Sequence, residues 1–306
     1  MMQDASTEPD AAASGQIQRF YIFGHNISHS LSPTLHNTGF QEIGFPGYYK
    51  IHESPSVDTS VVSLINQSDF GGASVTYPHK LQISPHLDRI TIAGSAVGAI
   101  NTIVVDRSID GKRSLVGDNT DWAGVRTCIF HVWEKEMENS PALVLGAGGA
   151  ARAAVYAIRS LGIRKVILVN RTRTRAEKMI AHFPDLSFSY FSTLHQVTAA
   201  GVEPVRIIVG CVPVDGIHES DIPEDLFVSA PSGVLVEMAY RPLVTPIMQV
   251  ASRHANWAVF NGTDVLKEQA YAQFKLWTGY KAPTDIMSLA MRKEVEQREL
   301  RAKARV

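Results

Sequence analysis

The stretch Pro141-Ala-Leu-Val-Leu-Gly-Ala-Gly-Gly-Ala-Ala-Arg-Ala-Ala-Val155, followed by Lys165-Val-Ile-Leu-Val169 and Asn170-Arg-Thr172, decides the fold. Ala142 to Leu145 is an apolar run of strand length. Gly146, Gly148 and Ala151 then keep the Gly-x-Gly-x-x-(Gly/Ala) spacing that turns a strand into a helix. The turn Gly146, Ala147, Gly148, Gly149, Ala150 carries nothing larger than a methyl group, so its N–H groups can approach a diphosphate. The helix expected over Ala150 to Leu161 points its positive dipole end at the same place. Lys165 to Val169 reads as a second buried parallel strand. Where an NAD-binding unit has Asp or Glu at the end of that strand, this chain has Asn170, Arg171 and Thr172, with Arg175 close behind. Two guanidiniums and a hydroxyl suit a 2′-phosphate, so the expected cofactor is NADP, with NAD disfavoured.

Outward from this unit the pattern continues as strands at Val205–Gly210 and Gly233–Glu237, with a helix within Tyr190–Ala200 and another from Trp122 to about Glu138. Such βα alternation predicts a parallel sheet with helices on both faces. The first part of the chain reads differently. A strand is expected at Phe20–Gly24, then a helix from Ser32-Pro33 to about Ile43 with Ser32 as its cap, and a helix at Val57–Asn66. A strand at Ala73–Thr76, a helix at Lys80–Asp88, a strand at Ala99–Val105 and a turn at Gly111-Lys112 leading to Leu115-Val116 follow. Helices at Leu266–Trp277 and Asp285 to about Ala302 close the chain.

The expected architecture is therefore α/β in two lobes. Residues 17–120, completed by C-terminal helices within 263–306, form a substrate domain; residues 121–262 form a Rossmann-type domain; residues 1–16 are a disordered tail. Because the chain crosses between lobes near Asp121 and again near Gly262, a hinge and an intervening cleft are expected.

Bulk composition narrows the function. The 306 residues are 45% hydrophobic and 19% charged, with a formal net charge of −1. With no basic cluster before the C-terminal segment, nucleic acid or an anionic membrane is excluded as the main partner, and a small molecule is expected. Met1 to Gly15 lacks the basic start and apolar core of a signal peptide, and no apolar run approaches a membrane span. Cys128 and Cys211, the only cysteines, have no metal-ligand spacing and suit a reducing, cytoplasmic setting. His25, His29 and His36 also lack matched ligand spacing, so no metal is expected.

Four polar segments fall at strand ends or loop starts, where α/β proteins place their sites. They are Ser30-Leu-Ser-Pro33, Ser74-Val-Thr-Tyr-Pro-His-Lys80, Gly98-Ala-Ile-Asn-Thr102 and Gly117-Asp-Asn-Thr-Asp121. With the glycine turn, Asn170-Arg-Thr172, Tyr240-Arg-Pro-Leu-Val-Thr-Pro246 and Gln269-Ala-Tyr-Ala-Gln-Phe-Lys-Leu-Trp-Thr-Gly279, they occur in the order found in shikimate and quinate/shikimate dehydrogenases. The resemblance spans about Phe20 to Pro283. Leu-His-Asn-Thr-Gly39 and Leu-Trp-Thr-Gly-Tyr-Lys-Ala-Pro283 are most similar to the dehydrogenase domain of the fungal pentafunctional AROM protein.

That resemblance implies reversible NADPH-linked reduction of 3-dehydroshikimate to shikimate, by a monomer or homodimer, in a cleft between lobes. It implies Lys80 and Asp121 as the acid–base dyad. Ser30 and Ser32 would bind the substrate carboxylate, and Thr76, Asn101, Tyr240 and Gln269 would complete the substrate site. Met238 and Gly262 would border the nicotinamide, with Gly262 keeping space open for the ring. A secondary alcohol needs a hydride acceptor on its carbon and a proton acceptor at its oxygen, so a lysine–carboxylate pair opposite a nucleotide site is chemically apt.

This chain departs from the family pattern at Ser74, usually Asn, at Val209-Gly-Cys-Val-Pro213 and at Gly262-Thr-Asp-Val-Leu266. The alternatives are a catabolic quinate/shikimate dehydrogenase and a quinate-pathway repressor-like protein. Retention of both Ser32 and Thr76 favours shikimate over the bulkier quinate, and retention of Lys80 with Asp121 favours an enzyme over a sensor.

Overall fold

A computed structural model describes residues 17–108, 111–214 and 216–303; the expected tail at 1–16 lies outside them. The first lobe runs β1 (Gln18–Gly24), α1 (Ser32–Glu42), β2 (Gly47–Glu53), α2 (Thr59–Ile65), β3 (Phe70–Val75), β4 (Arg89–Ile90), α3 (Ile92–Val97), β5 (Thr102–Asp106) and β6 (Ser114–Asp118). The second runs α4 (Asp121–Phe130), β7 (Ala142–Leu145), α5 (Gly149–Ser160), β8 (Lys165–Val169), α6 (Arg173–His182), β9 (Ser187–Phe191), α7 (Leu194–Ala199), β10 (Ile207–Gly210), α8 (Asp225–Val228), β11 (Gly233–Glu237), α9 (Pro246–Ala251) and β12 (Trp257–Phe260). Helices α10 (Gly262–Thr278) and α11 (Thr284–Lys303) end the described chain.

Each lobe has one six-stranded sheet. The second, ordered β12-β11-β10-β7-β8-β9, is parallel throughout. Its central strands are almost wholly Val, Ile, Leu and Ala because helices cover both faces, and separate apolar cores lie on its two sides. Strand order reverses between β7 and β10, so ligands are expected in the crevice beyond the carboxyl ends of those strands.

The first sheet, β2-β1-β3-β5-β6-β4, is mixed: β1 is parallel to β2 and β3, while β5 is antiparallel to β3 and β6. Its larger core is completed from the far end of the chain, since Ala270 and Phe274 of α10 and Met287 and Met291 of α11 pack on Phe20, Leu35 and Phe40. Helix α10 also presents Val265 to the second lobe's core. Trp277 donates its indole N–H to the Ile103 carbonyl at 2.9 Å, over Gly72, where a Cβ would lie 2.6 Å from the indole nitrogen. That contact ties α10 to the backbone of the first sheet.

Three local expectations are corrected. Lys80–Asp88 is not an α-helix but two single 3₁₀ turns, His79–Leu81 and Ser84–His86. Pro85 supplies no N–H for a continuing helix, and the Lys80 carbonyl accepts from Ile100 across the lobe instead. The helix from Asp121 stops at Phe130, and a separate 3₁₀ segment, Lys135–Asn139, follows. Ser32 is the first helical residue of α1 rather than its cap; the cap position is Leu31, and Ser30 Oγ accepts from the Ser32 N–H at 3.2 Å.

Candidate active site

Between the lobes lies a cleft of about 400 Å³ lined from both sides. The first lobe contributes Ser30, Ser32, Thr76, Lys80 and Asn101; the second contributes Ala150, Met238 and Tyr240; Asp121, Gly262 and Gln269 lie where the lobes join. All six expected substrate contacts and both members of the expected dyad thus meet in one space.

The dyad is held by the ends of three elements. Lys80 sits on the 3₁₀ turn after β3, Asp121 opens α4, and Asn101 precedes β5. Lys80 Nζ donates to Asp121 Oδ2 in a pair shielded from solvent. The other carboxylate oxygen accepts from Asn101 Nδ2 at 2.8 Å. Asp121 is therefore gripped on both oxygens, which fixes the position of the ammonium. Behind Lys80, the buried His79 imidazole bonds to Ser54 Oγ at 2.8 Å and anchors the turn.

A buried polar network backs this pair. Asn101 Nδ2 lies 3.2 Å from Gln269 Oε1, and its Oδ1 accepts from the Thr120 N–H at 2.7 Å. Gln273, one helical turn beyond Gln269 on α10, donates to Thr102 Oγ1 at 2.9 Å and accepts from Ser74 Oγ at 2.9 Å; Ser74 Oγ accepts in turn from the Tyr49 hydroxyl at 2.6 Å. Sequence reading missed Gln273 and Tyr49. The signal for Gln273 was its i, i+4 spacing from Gln269, which puts both amides on one helix face. Tyr49 carried no such signal. Ser74 is thus a link in a continuous chain of hydrogen bonds, its hydroxyl already engaged on both sides.

At the opposite wall, Gly146 adopts φ +119°, and a Cβ there would lie 2.9 Å from the Cys211 carbonyl, so the turn itself requires glycine. Gly148 is different: a Cβ added there would meet nothing within 4 Å. It caps α5 without a side-chain bond, and the first turn of that helix has no acidic residue. Unpaired N–H groups facing open space fit a phosphate-bearing group. Gly149 approaches the first lobe, with Lys80 Cβ 3.4 Å from the Cβ position. Arg171 and Arg175 are exposed and make no ion pair among the described residues, while Asn170 Nδ2 donates to the Thr172 carbonyl at 2.7 Å. Thr172 holds the cap position of α6 but makes no side-chain capping bond.

Met238 lines the cleft, with its sulfur 3.6 Å from Cys211 Sγ. Burial and the neighbouring Glu237 push the Cys211 thiol up, so it stays protonated. Burial likewise raises Glu237, whose carboxyl accepts from the Ala239 N–H at 2.9 Å and secures the Met238–Tyr240 segment. One expectation changes here. A Cβ on Gly262 would lie 2.5 Å from the Ala239 carbonyl, so this glycine admits that backbone against the start of α10 rather than opening space for a ring. Among the described residues no group of His, Cys, Asp and Glu could hold a metal ion, and no helix is long and apolar enough to cross a membrane.

Comparison with known proteins gives concordant matches. Residues 22–103 match the shikimate dehydrogenase substrate binding domain, residues 131–206 the shikimate / quinate 5-dehydrogenase domain, and residues 262–295 the shikimate 5′-dehydrogenase C-terminal domain. The chain is 40% identical over 273 residues to the pentafunctional AROM polypeptide of Malassezia globosa, covering 87% of this chain and 17% of that one. It is 34% identical over 319 residues to the quinate repressor protein of Emericella nidulans, covering 92% of this chain and 35% of that one. It therefore spans well under half the length of either fungal relative. Among solved structures, the Thermus thermophilus shikimate 5-dehydrogenase in complex with NADP(H) and shikimate has a TM-score of 0.74 and 29% identity, covering 90% of this chain and 99% of that one.

Proposed function

The chain belongs to the shikimate dehydrogenase family, and from that premise we propose that it is an NADP-linked shikimate dehydrogenase, interconverting 3-dehydroshikimate and shikimate in the cytoplasm. The observation that carries this reading is the Lys80–Asp121 pair facing the glycine turn across one cleft. Residues 17–120 with the C-terminal helices act as the substrate unit, and 121–262 as the cofactor unit.

The glycine turn would hold the diphosphate, and Arg171, Thr172 and Arg175 the 2′-phosphate; when bound, the nicotinamide supplies or accepts the hydride. Lys80, as an ammonium, donates its proton to the carbonyl oxygen as that oxygen gains charge, and recovers a proton from solvent afterwards. In the reverse direction the amine takes the hydroxyl proton. Asp121 keeps Lys80 aimed, and Asn101 keeps Asp121 from turning away. Ser30 and Ser32 take the carboxylate, and Thr76, Asn101, Tyr240 and Gln269 hold the ring, so that only one face meets the nicotinamide.

The similarity to the quinate repressor favours a second reading, a quinate-responsive regulator without turnover. Initial rates of NADP⁺ reduction with shikimate and quinate in parallel, repeated with NAD⁺, separate the two. The enzyme reading predicts the highest kcat/KM for shikimate with NADP⁺. Binding of quinate without turnover of either acid supports the regulator, and a higher kcat/KM with NAD⁺ removes the 2′-phosphate assignment.

A further inference from the structure

Resting on the reading above, we propose that Arg241 is a specificity residue that recognises the substrate's carboxylate from the second lobe, completing an anion subsite of which Ser30 and Ser32 are the other half. The ligand class is a hydroxylated ring bearing one carboxylate.

Arg241 lines the cleft together with His29, Ser30, Ser32 and Tyr240. It directly follows Tyr240, whose ring lies 6.0 Å from that of His29. The guanidinium is therefore delivered to the serine end of the cleft by the segment that already crosses the lobes. It is exposed and makes no ion pair among the described residues.

The other charged groups at this end are already engaged. Arg298 of α11 donates to the carbonyls of His29 and Ser30 and pairs with Glu294 at 2.6 Å, so it braces the serine loop from behind. Glu53 of β2 accepts from the N–H groups of Ile27 and Ser28. Burial and then the nearby Arg241 and Arg298 hold His29 below its ordinary pKa, which keeps it neutral and marks the positive field there. Hydroxyls alone are neutral donors and discriminate weakly between a carboxylate and its ester. A guanidinium adds charge and a planar pair of donors, and its loss should be felt by the anion specifically.

The test uses the full chain and compares wild type with Arg241→Gln and Arg241→Lys. Shikimate and its methyl ester serve as ligands, and calorimetry with NADP⁺ present accompanies steady-state rates. Expected for Arg241→Gln is a rise of about tenfold in KM and Kd for shikimate, the size of a lost charge-assisted hydrogen bond in a partly open site. That rise should exceed any fall in kcat and shrink with added salt. The ester should lose little, KM for NADP⁺ should stay within about twofold, and Arg241→Lys should recover part of the loss. Equal losses for acid and ester, or an unchanged KM for shikimate while wild type turns it over, would overturn the proposal and leave the dehydrogenase reading standing. Failure of wild type to bind shikimate at all would overturn both, and so distinguishes the two failures.

Discussion

The two lobes face the same cleft but meet it with different chemistry. In the second lobe the working surface is the backbone of the glycine turn and the uncapped start of α5, with two exposed guanidiniums that have no acidic partner among the described residues. In the first lobe it is side chains, nearly all buried and hydrogen-bonded to one another through Asn101, Thr102, Thr120, Gln269 and Gln273. A nucleotide presents repeated phosphates that bare N–H groups can meet, so that surface depends on what is missing. A ring with several hydroxyls must be matched group by group, so the other surface depends on each side chain being held. Loss of function should therefore separate from loss of stability in the second lobe and merge with it in much of the first.

The largest expected effect is at the point where the lobes meet. Lys80→Ala and Asp121→Asn should each lower kcat by about a hundredfold or more, the usual cost of removing general acid–base function. Thermal melting should still report a folded protein. Near-wild-type turnover in either folded variant would take that residue out of the mechanism.

Paired substitutions within the glycine turn sharpen the contrast. Gly148→Ala adds a methyl group into open space at an extended φ of −97°, so melting should barely move while KM for NADP⁺ rises about tenfold. Gly146→Ala puts a methyl group 2.9 Å from the Cys211 carbonyl at φ +119° and should destabilise the fold itself by about 1–3 kcal/mol. If both variants behaved alike, the division between a binding glycine and a structural one would fail.

The smallest effect lies deep in the first lobe. His36 of α1 is fully buried against Tyr49 and Trp277, and neither ring nitrogen makes a hydrogen bond among the described residues. Burial lowers its pKa from 6.5 to about 3, against a small opposing effect of Gln273. Because the folded state resists the proton that the unfolded chain accepts, this stability is full above about pH 6.5 and drains as pH falls toward 3. Between pH 6.5 and 5 the loss should be about 1–2 kcal/mol. In urea melts over that window His36→Phe should lose less stability than wild type. An unchanged slope would mean that His36 does not carry the loss.

This contrast also explains what could be read in the sequence. The four inner strands of the parallel sheet were legible because full burial leaves unbroken apolar runs such as Val166-Ile-Leu-Val169, and the turn because glycine has few substitutes at φ +119°. The edge strands β9 and β12, only partly buried, were not foreseen. In the first lobe β2 and α3 escaped notice. Gly47–Glu53 buries only Tyr49 and carries Lys50, His52 and Glu53, so it lacks an apolar run, and α3 is a single turn and a half containing a glycine. The expected Lys80–Asp88 helix failed because the pull on Lys80 is tertiary, through Ile100, and no local propensity reports it. At the site, residues within named motifs could be found, whereas Tyr49 and Gln273 join through partners up to 199 positions apart, as in the Ser74–Gln273 bond.

Direct hydride transfer across this cleft requires the two lobes to act on one carbon. Shikimate carrying deuterium on the carbinol carbon that is oxidised, incubated with NADP⁺ and the full chain, reports whether they do. Facing ligands across this cleft predict that the label passes quantitatively to the reduced nicotinamide, with none released to water. Label appearing in solvent, or NADP⁺ reduced without it, would contradict direct transfer between the surface built by the glycine turn and the one built around Lys80.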